Sequence, residues 1–256
     1  MVVVLVEKLS SFPLSSHKFL AIGYILRIIP ILNIVGSALI PIGWFKIYKW
    51  GRSKGYLLAL IGSALFLVML VYSGFASFTT TQSITPPVTA PGTEDLESLK
   101  NVMTSAIDIS IESFSNQLIH LSYVLEGIGL ILESMGILYL FKDTNGYFPK
   151  YLVALFLILG ILMIINVPAM IISIKGLEEL KTEIQNAKSP DEVFKLMTTN
   201  YMSAMAPVMA VSFSSFIIGL IAYIIAGYKF WKIRDEIYKL KIVETTQSKF
   251  SAETLI

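Results

Sequence analysis

The chain has 256 residues, 55% of them hydrophobic and 15% charged, with a mean hydropathy of +0.71 and a formal net charge of +2. Soluble domains carry about 45–50% apolar and about 25% charged residues, so this balance excludes an ordinary soluble domain, and so small a net charge excludes a protein that coats nucleic acid. There is no cysteine and there are two histidines, His17 and His120, which excludes disulfides, thiolate catalysis, iron–sulfur clusters and a three-histidine metal centre; no cofactor or metal is expected.

The start, MVVVLVEKLSSFPLSSHK, places its apolar run before its charges and lacks a small-residue cleavage site. It reads as a retained interfacial segment over 1–18 rather than a cleaved signal. Block 19–45 is apolar but interrupted by Arg27, Pro30, Asn33 and Pro41. Proline is tolerated in a membrane helix and kinks it. The block is therefore either one long kinked span or a re-entrant hairpin folding near Pro30. The basic turn KIYKWGRSKG, with Lys46, Lys49, Arg52 and Lys54, leads into span 56–78.

Residues 79–94, TTTQSITPPVTAPGTE, form a Thr/Pro-rich linker that suits O-glycosylation. After it, Leu96, Leu99, Met103 and Ala106 make an amphipathic helical stripe leading into the next span, 118–141. A second apolar block, 151–174, completes a transmembrane hairpin over 118–174. Segment 175–206 spaces Leu177, Leu180, Ile184 and Ala187 in heptad style. It then offers a helix start, with Ser189 as N-cap, Pro190 at the first position and Glu192 closing a capping box. These two excursions are either a protective helical cap or a docking surface or vestibule. The last span, 207–231, precedes a basic tail, 232–256. Each block of about 20 apolar residues suffices to cross a bilayer core of about 30 Å.

Charge orients the map. Segment 79–117 carries Lys100 against Glu94, Asp95, Glu97, Asp108 and Glu112, and 175–206 is slightly acidic, whereas the turns at 46–54 and 142–150 and the tail are basic. Positive loops stay in the cytoplasm. With five spans the N-terminus is outside and the C-terminus inside; a hairpin at Pro30 instead places the N-terminus inside. GWFK (43–46), YLFK (139–142) and GYKFWK (227–232) put aromatics beside lysine where spans meet the cytoplasm, which suits interfacial anchoring. GRSKGYLLAL (51–60) loosely echoes GYFPKYLVAL (146–155), a weak internal repeat.

Two carboxylates, Glu126 and Glu133, lie inside an apolar span. Such groups are costly in hydrocarbon and face protein or water. Seven residues apart, they share a helix face to within about 20°. Ser122 and Gly129 are on the same stripe, leaving room for a neighbouring helix. If 19–45 crosses once, Arg27 matches Glu126 in depth and Asn33 matches Glu133. The candidate polar cluster is thus Arg27, Asn33, Glu126 and Glu133, read either as a structural clasp or as the lining of a conducting path.

The chain contains no phosphate-binding GxxxxGK[ST], HExxH, GxSxG, GxGxxG or TVGYG sequence. It is expected not to be an enzyme and not to carry its own ATP motor. NVPAM (166–170) is an isolated run inside a span, where Pro168 is expected to kink the helix.

The prediction is an all-α, polytopic helical membrane protein of about five transmembrane helices (six if 19–45 is a hairpin) with two helical extracytoplasmic segments. This layout resembles the polytopic channel subunit of bacterial conjugation machines. With its cysteine-free, isoleucine-rich composition and Lys-aromatic ends, it is similar to the membrane channel of the crenarchaeal DNA-exchange (Ced) import system. The resemblance covers the whole chain through topology, the segments 79–117 and 175–206, and composition; it carries no motif and transfers no functional residue. It implies DNA import across the archaeal cell membrane, with DNA as the transported species. The implied partners are other membrane subunits, a separate cytoplasmic ATPase and membrane lipid, in an oligomer. Ionised carboxylates in the outside segments would repel DNA, an effect that acid protonation reduces. Two other readings are an ion or small-solute transporter using the intramembrane carboxylates, and a non-transporting assembly subunit of a membrane complex.

Overall fold

The computed structural model describes residues 12–82, 96–144 and 146–253. The expected interfacial segment up to residue 11 and most of the Thr/Pro-rich linker, 83–95, lie outside the described residues. Those residues form helices and no strand: α1 (Leu14–Arg27), a 3-10 turn (Pro30–Leu32), α2 (Asn33–Gly51), α3 (Lys54–Gln82), α4 (Leu96–Ser115), α5 (Gln117–Asp143), α6 (Lys150–Asn186) and α7 (Pro190–Glu253). The chain is a polytopic helical protein. Among the described residues, five segments are long and apolar enough to cross a membrane: Pro30–Gly51, Lys54–Ser73, Gln117–Asp143, Lys150–Asn186 and Pro190–Ile233. Helix α1, with 14 residues, is about 21 Å long.

Pro30 decides the path of block 19–45. The ring of a proline pushes the preceding residue out of the helical region, and Ile29 is extended, at φ −90° and ψ 114°. The helix therefore ends, and the chain turns back instead of kinking. Contacts across the turn run in reverse order. A Cβ added to Gly36 would lie 2.6 Å from the Arg27 amide nitrogen, one added to Gly23 would lie 2.7 Å from Ile40, and one at Gly43 would strike Leu20. As residue numbers rise along α1 their partners fall along α2, so α1 and α2 are an antiparallel hairpin. Its two ends stay together: the Phe12 ring sits edge-on to Trp50, with centroids 5.2 Å apart. Of the two paths left open by the sequence, the hairpin is the one adopted.

The described residues fall into two compact units. The first comprises the hairpin, α3 to Val68, residues 128–160 and the chain from Ile217. Here α3 meets α5 with no side chain between them, since the Cβ that Gly129 lacks would lie 2.6 Å from the Gly62 carbonyl oxygen. Small residues at a crossing let two membrane helices approach closely. The same unit holds a cluster of fully buried rings: Tyr24, Trp44, Tyr56, Phe148, Phe156 and Phe230. Tyr24 stacks on Phe230 at 5.8 Å, and Phe148 packs against Phe230 at 4.7 Å. The Trp44 Nε1–H donates to the Tyr24 hydroxyl at 3.3 Å, giving this buried indole the partner it needs.

The turns of this unit use left-handed residues. Arg52 has φ 45° and donates its N–H to the Tyr48 carbonyl at 2.7 Å, while Gly146 has φ 89° and donates to the Phe141 carbonyl at 2.9 Å. Such C-terminal caps satisfy carbonyls that a helix end leaves open. The weak internal repeat does not extend to packing: Tyr56 is buried, and its counterpart Tyr151 is exposed.

The second unit comprises residues 69–127 and 161–216. Its core holds Leu99 and Ile107 of α4, Leu177, Leu180 and Ile184 of α6, Ala187, and Val193 of α7. The predicted heptad is thus buried in full. The predicted α4 stripe differs at one step: Ala106 is exposed and Ile107 is buried. Two helical turns from Leu99 fall between these residues, and the larger apolar side chain takes the core position. At the start of α7, Glu192 N–H donates to Ser189 Oγ at 3.3 Å. The Glu192 carboxylate accepts from Lys188 N–H at 2.7 Å, one residue earlier than in the standard capping box.

Candidate functional site

The polar cluster of the first unit centres on Arg27, the last residue of α1. Its Nη1 donates to Glu133 Oε2 at 3.1 Å, and its Nε donates to Ser37 Oγ at 3.1 Å. Ser37 in turn donates to Asn33 Oδ1 at 3.2 Å, one turn back along α2. The guanidinium carbon lies 3.9 Å above the Phe66 ring of α3 and 5.3 Å from the Tyr223 ring of α7. The pair is sealed from solvent, with side-chain exposures of 1% for Arg27 and 0% for Glu133. Among the described residues, Arg27 Nη2 and Glu133 Oε1 have no hydrogen-bond partner.

The structure therefore brings Arg27, Asn33 and Glu133 into one network, with the connections changed from those expected. Glu133, expected to receive Asn33, receives Arg27; Asn33 is engaged by Ser37. The reason is the hairpin. The expected pairing counts depth from Lys18 and Leu118 as neighbouring ends, but the two ends of the hairpin lie beside the other end of α5, where the Tyr56 hydroxyl donates to Asp143 Oδ2 at 2.6 Å. Counted from there, Glu133 is ten residues in and Arg27 is nine residues from Lys18. Glu126 is buried as well and belongs to the second unit.

Three members of this network lie outside the predicted cluster. Ser37 carries a signal in the sequence, since it is four residues after Asn33 and so shares its helix face. Phe66 and Tyr223 carry none, because any ring in any span could cover the arginine. A guanidinium flanked by rings gains cation–π attraction, about 2 kcal/mol or more when desolvated. With a carboxylate on one edge and a hydroxyl on another, Arg27 is held at a fixed position. Chemically this is a clasp that binds the hairpin to α5. Among the described residues no three His, Asp or Glu side chains gather to hold a metal ion.

A second feature lies near the basic ends. Lys46 sits 4.3 Å from the Phe19 ring centroid, Lys49 4.5 Å from Phe45, Lys150 5.2 Å from Phe141 and Lys229 4.7 Å from Tyr147. Each ammonium rests on an aromatic face, as the Lys-aromatic composition of these ends favours. Tyr147 also donates its hydroxyl to the Lys229 carbonyl at 2.9 Å. Burial, reinforced by the nearby Glu236, Tyr228 and Asp235, pushes the Tyr147 phenol well above its ordinary pKa.

In the second unit, Lys181 Nζ donates to both carboxylate oxygens of Asp108 and Lys100 Nζ donates to the Gln185 carbonyl, so α4 is tied to α6 outside their apolar core. A groove of about 280 Å³ is lined by Glu179, Glu183, Asn200, Ser203 and Pro207 among others. Asn200 Nδ2 donates to Glu183 Oε2 at 2.8 Å within it.

No protein-family model, curated protein or solved structure matches the chain.

Proposed function

We propose that this integral membrane protein is one subunit of a multi-component transport machine, a channel subunit for DNA import across an archaeal cell membrane that works with other membrane subunits and a separate cytoplasmic ATPase. The observation that leaves room for an assembled role is the state of α7. Of its most apolar stretch only 22% is buried, and Phe213, Phe216, Tyr228 and Trp231 are all exposed, a surface that lipid chains or a neighbouring subunit can cover. In this reading the conduit runs between subunits, because Arg27, Asn33, Ser37 and Glu133 are closed into one buried clasp. The basic turns and tail face the cytoplasm. In this reading the N-terminal side of α1 shares that face, and the hairpin is a departure from a layout of five crossings. The test is deletion of the gene followed by DNA transfer between genetically marked strains. Loss of transfer, restored by the intact gene, supports the reading, and unchanged transfer rejects it.

One observation favours a second reading, an ion or small-solute transporter. Glu133 is an intramembrane carboxylate with one oxygen that no described residue hydrogen-bonds, and groups of this kind mark ion and proton paths. Proton-coupled uptake into proteoliposomes that Glu133→Gln abolishes would favour this alternative over DNA import.

A further inference from the structure

We infer that the α1–α2 hairpin is re-entrant: it enters the bilayer, turns inside the hydrocarbon with its apolar tip covered by lipid chains, and leaves on the face from which it entered. Although Pro30–Gly51 is long and apolar enough to cross, four helices then cross and this one does not.

Leg length is the first ground. Lys18 and Lys46 bound the uncharged stretch apart from Arg27, and Lys46 rests on the ring of Phe19, so both legs start at one level. From Phe19 to Ile29 there are 11 residues, and from Asn33 to Phe45 there are 13. At 1.5 Å per residue the legs rise about 16 and 20 Å, against a hydrocarbon core of about 30 Å. Apolar helices of 10–14 residues suit re-entrant segments rather than spans.

The tip is the second ground. Ile28-Ile29-Pro30-Ile31-Leu32 has no polar side chain, and Ile31 is 90% exposed, with Ile29, Leu32, Ile34 and Val35 exposed beside it. A turn facing water would favour Gly, Asn, Asp or Ser. A turn facing hydrocarbon must instead satisfy its own backbone. Ile28 N–H donates to the Ile25 carbonyl, Ile29 to Leu26 and Leu32 to Ile29, at 2.9–3.2 Å, and Pro30 has no N–H, so four of the five turn residues leave no open donor. The one charge near the tip, Arg27, is turned inward and neutralised by Glu133. Glu133 lies ten residues, about 15 Å, from the Asp143 end of α5, close to mid-bilayer.

The cysteine-free chain allows a direct test in the full-length protein. Lys18→Cys, Ile31→Cys, Ser53→Cys and Ser189→Cys are made singly, in sealed vesicles of known sidedness, each variant first shown to melt like the parent in detergent. A membrane-impermeant maleimide is expected to label the thiols at positions 18 and 53 from one face and the thiol at position 189 from the other. It is expected to miss the thiol at position 31 until detergent is added. An environment-sensitive fluorophore attached at position 31 is expected to be quenched by phospholipids brominated along their acyl chains. Labelling of position 31 from the same face as position 189 would show that both legs cross, and labelling from the same face as position 53 would place the tip in water; either overturns the inference. Protection of position 31 without quenching by brominated lipid would mean that protein, such as a second copy, covers the tip, and would overturn the lipid assignment. Labelling of positions 18 and 53 from opposite faces would overturn the shared entry face.

Discussion

Replacing Arg27 by methionine leaves Glu133 fully buried, opposite a side chain that cannot neutralise it. At 3.1 Å and an effective dielectric of about 20, the lost attraction is about 5 kcal/mol. Breaking one side of a buried pair costs about 3–5 kcal/mol in measured cases, because the surviving charge stays desolvated. Arg27→Met also removes the contact with Phe66, worth about 2 kcal/mol when desolvated. The expected loss for Arg27→Met is therefore about 3–5 kcal/mol. Glu133→Leu should lose a similar amount, since it strands the guanidinium between Phe66 and Tyr223. The double variant removes both charges and should recover much of the loss, giving a coupling energy of about 2–4 kcal/mol between the two positions. Reversible unfolding of the purified protein in mixed micelles with rising SDS measures all four members of the cycle. If the single losses add to the double loss within about 0.5 kcal/mol, the two residues do not act as a clasp and the reasoning fails.

Neutral parts of the same network should matter less. Interhelical hydrogen bonds in membranes average about 0.6 kcal/mol, so Ser37→Ala, read by the same SDS unfolding, should cost about 1 kcal/mol or less; a loss equal to that of Arg27→Met would contradict this ranking. Gly129→Val drives a branched side chain against the Gly62 carbonyl and should cost about 1–3 kcal/mol. Gly219→Ala, where an added Cβ would meet Leu159 at an ordinary 3.6 Å, gains about 0.5–1 kcal/mol of helix preference and should raise the melting temperature by about 1–4 °C. In the second unit, Ile184→Ala should cost about 2–5 kcal/mol, whereas Lys181→Ala, at a half-exposed ion pair, should cost under about 1 kcal/mol. Tyr147 ties pH to stability at the alkaline end. Its raised pKa means that the fold binds this proton more tightly than the unfolded chain does, so its contribution is intact below about pH 10 and declines as pH rises above that. Tyr147→Phe should flatten the alkaline fall in melting temperature, and an unchanged fall would show that other groups cause it.

Periodicity made much of this fold legible. Leu177, Leu180, Ile184 and Ala187 repeat closely enough that only one face could be buried, and all four are buried. The α4 stripe was legible to within one residue, because two helical turns from Leu99 end between Ala106 and Ile107 and size settles which is inside. The site was half legible. Composition singles out Arg27, Asn33 and Glu133, since a charge or amide in an apolar block needs a partner. Which partner depends on chain direction, and direction depends on Ile29 alone. If that residue stays helical the block runs on and depth counts from one end of α5; when it becomes extended the block returns and depth counts from the other. Phe66 and Tyr223 could not be read at all, because which ring comes to lie over a guanidinium is a property of tertiary packing and leaves no spacing in the sequence.

The hairpin and the ion pair account for each other. A leg of 11 residues ending in an apolar turn gains little from its own propensity, since short helices are marginal without tertiary contacts. An arginine inside hydrocarbon is costly without a partner. Gly23 and Gly36 bring the two legs close enough for Ser37 to reach the Arg27 Nε, and Gly62 and Gly129 bring α3 against α5 so that Phe66 and Glu133 face the same guanidinium. The close approaches are thus what make the arginine tolerable, and the arginine is what fixes the hairpin to α5 at one height. A purely apolar contact would allow α1 to slide or rotate on its neighbours at little cost, whereas a single charge pair with one carboxylate within reach specifies one register. This is the role best attested for buried polar groups elsewhere. It also gives Glu133 a structural duty that accounts for its presence in an apolar span.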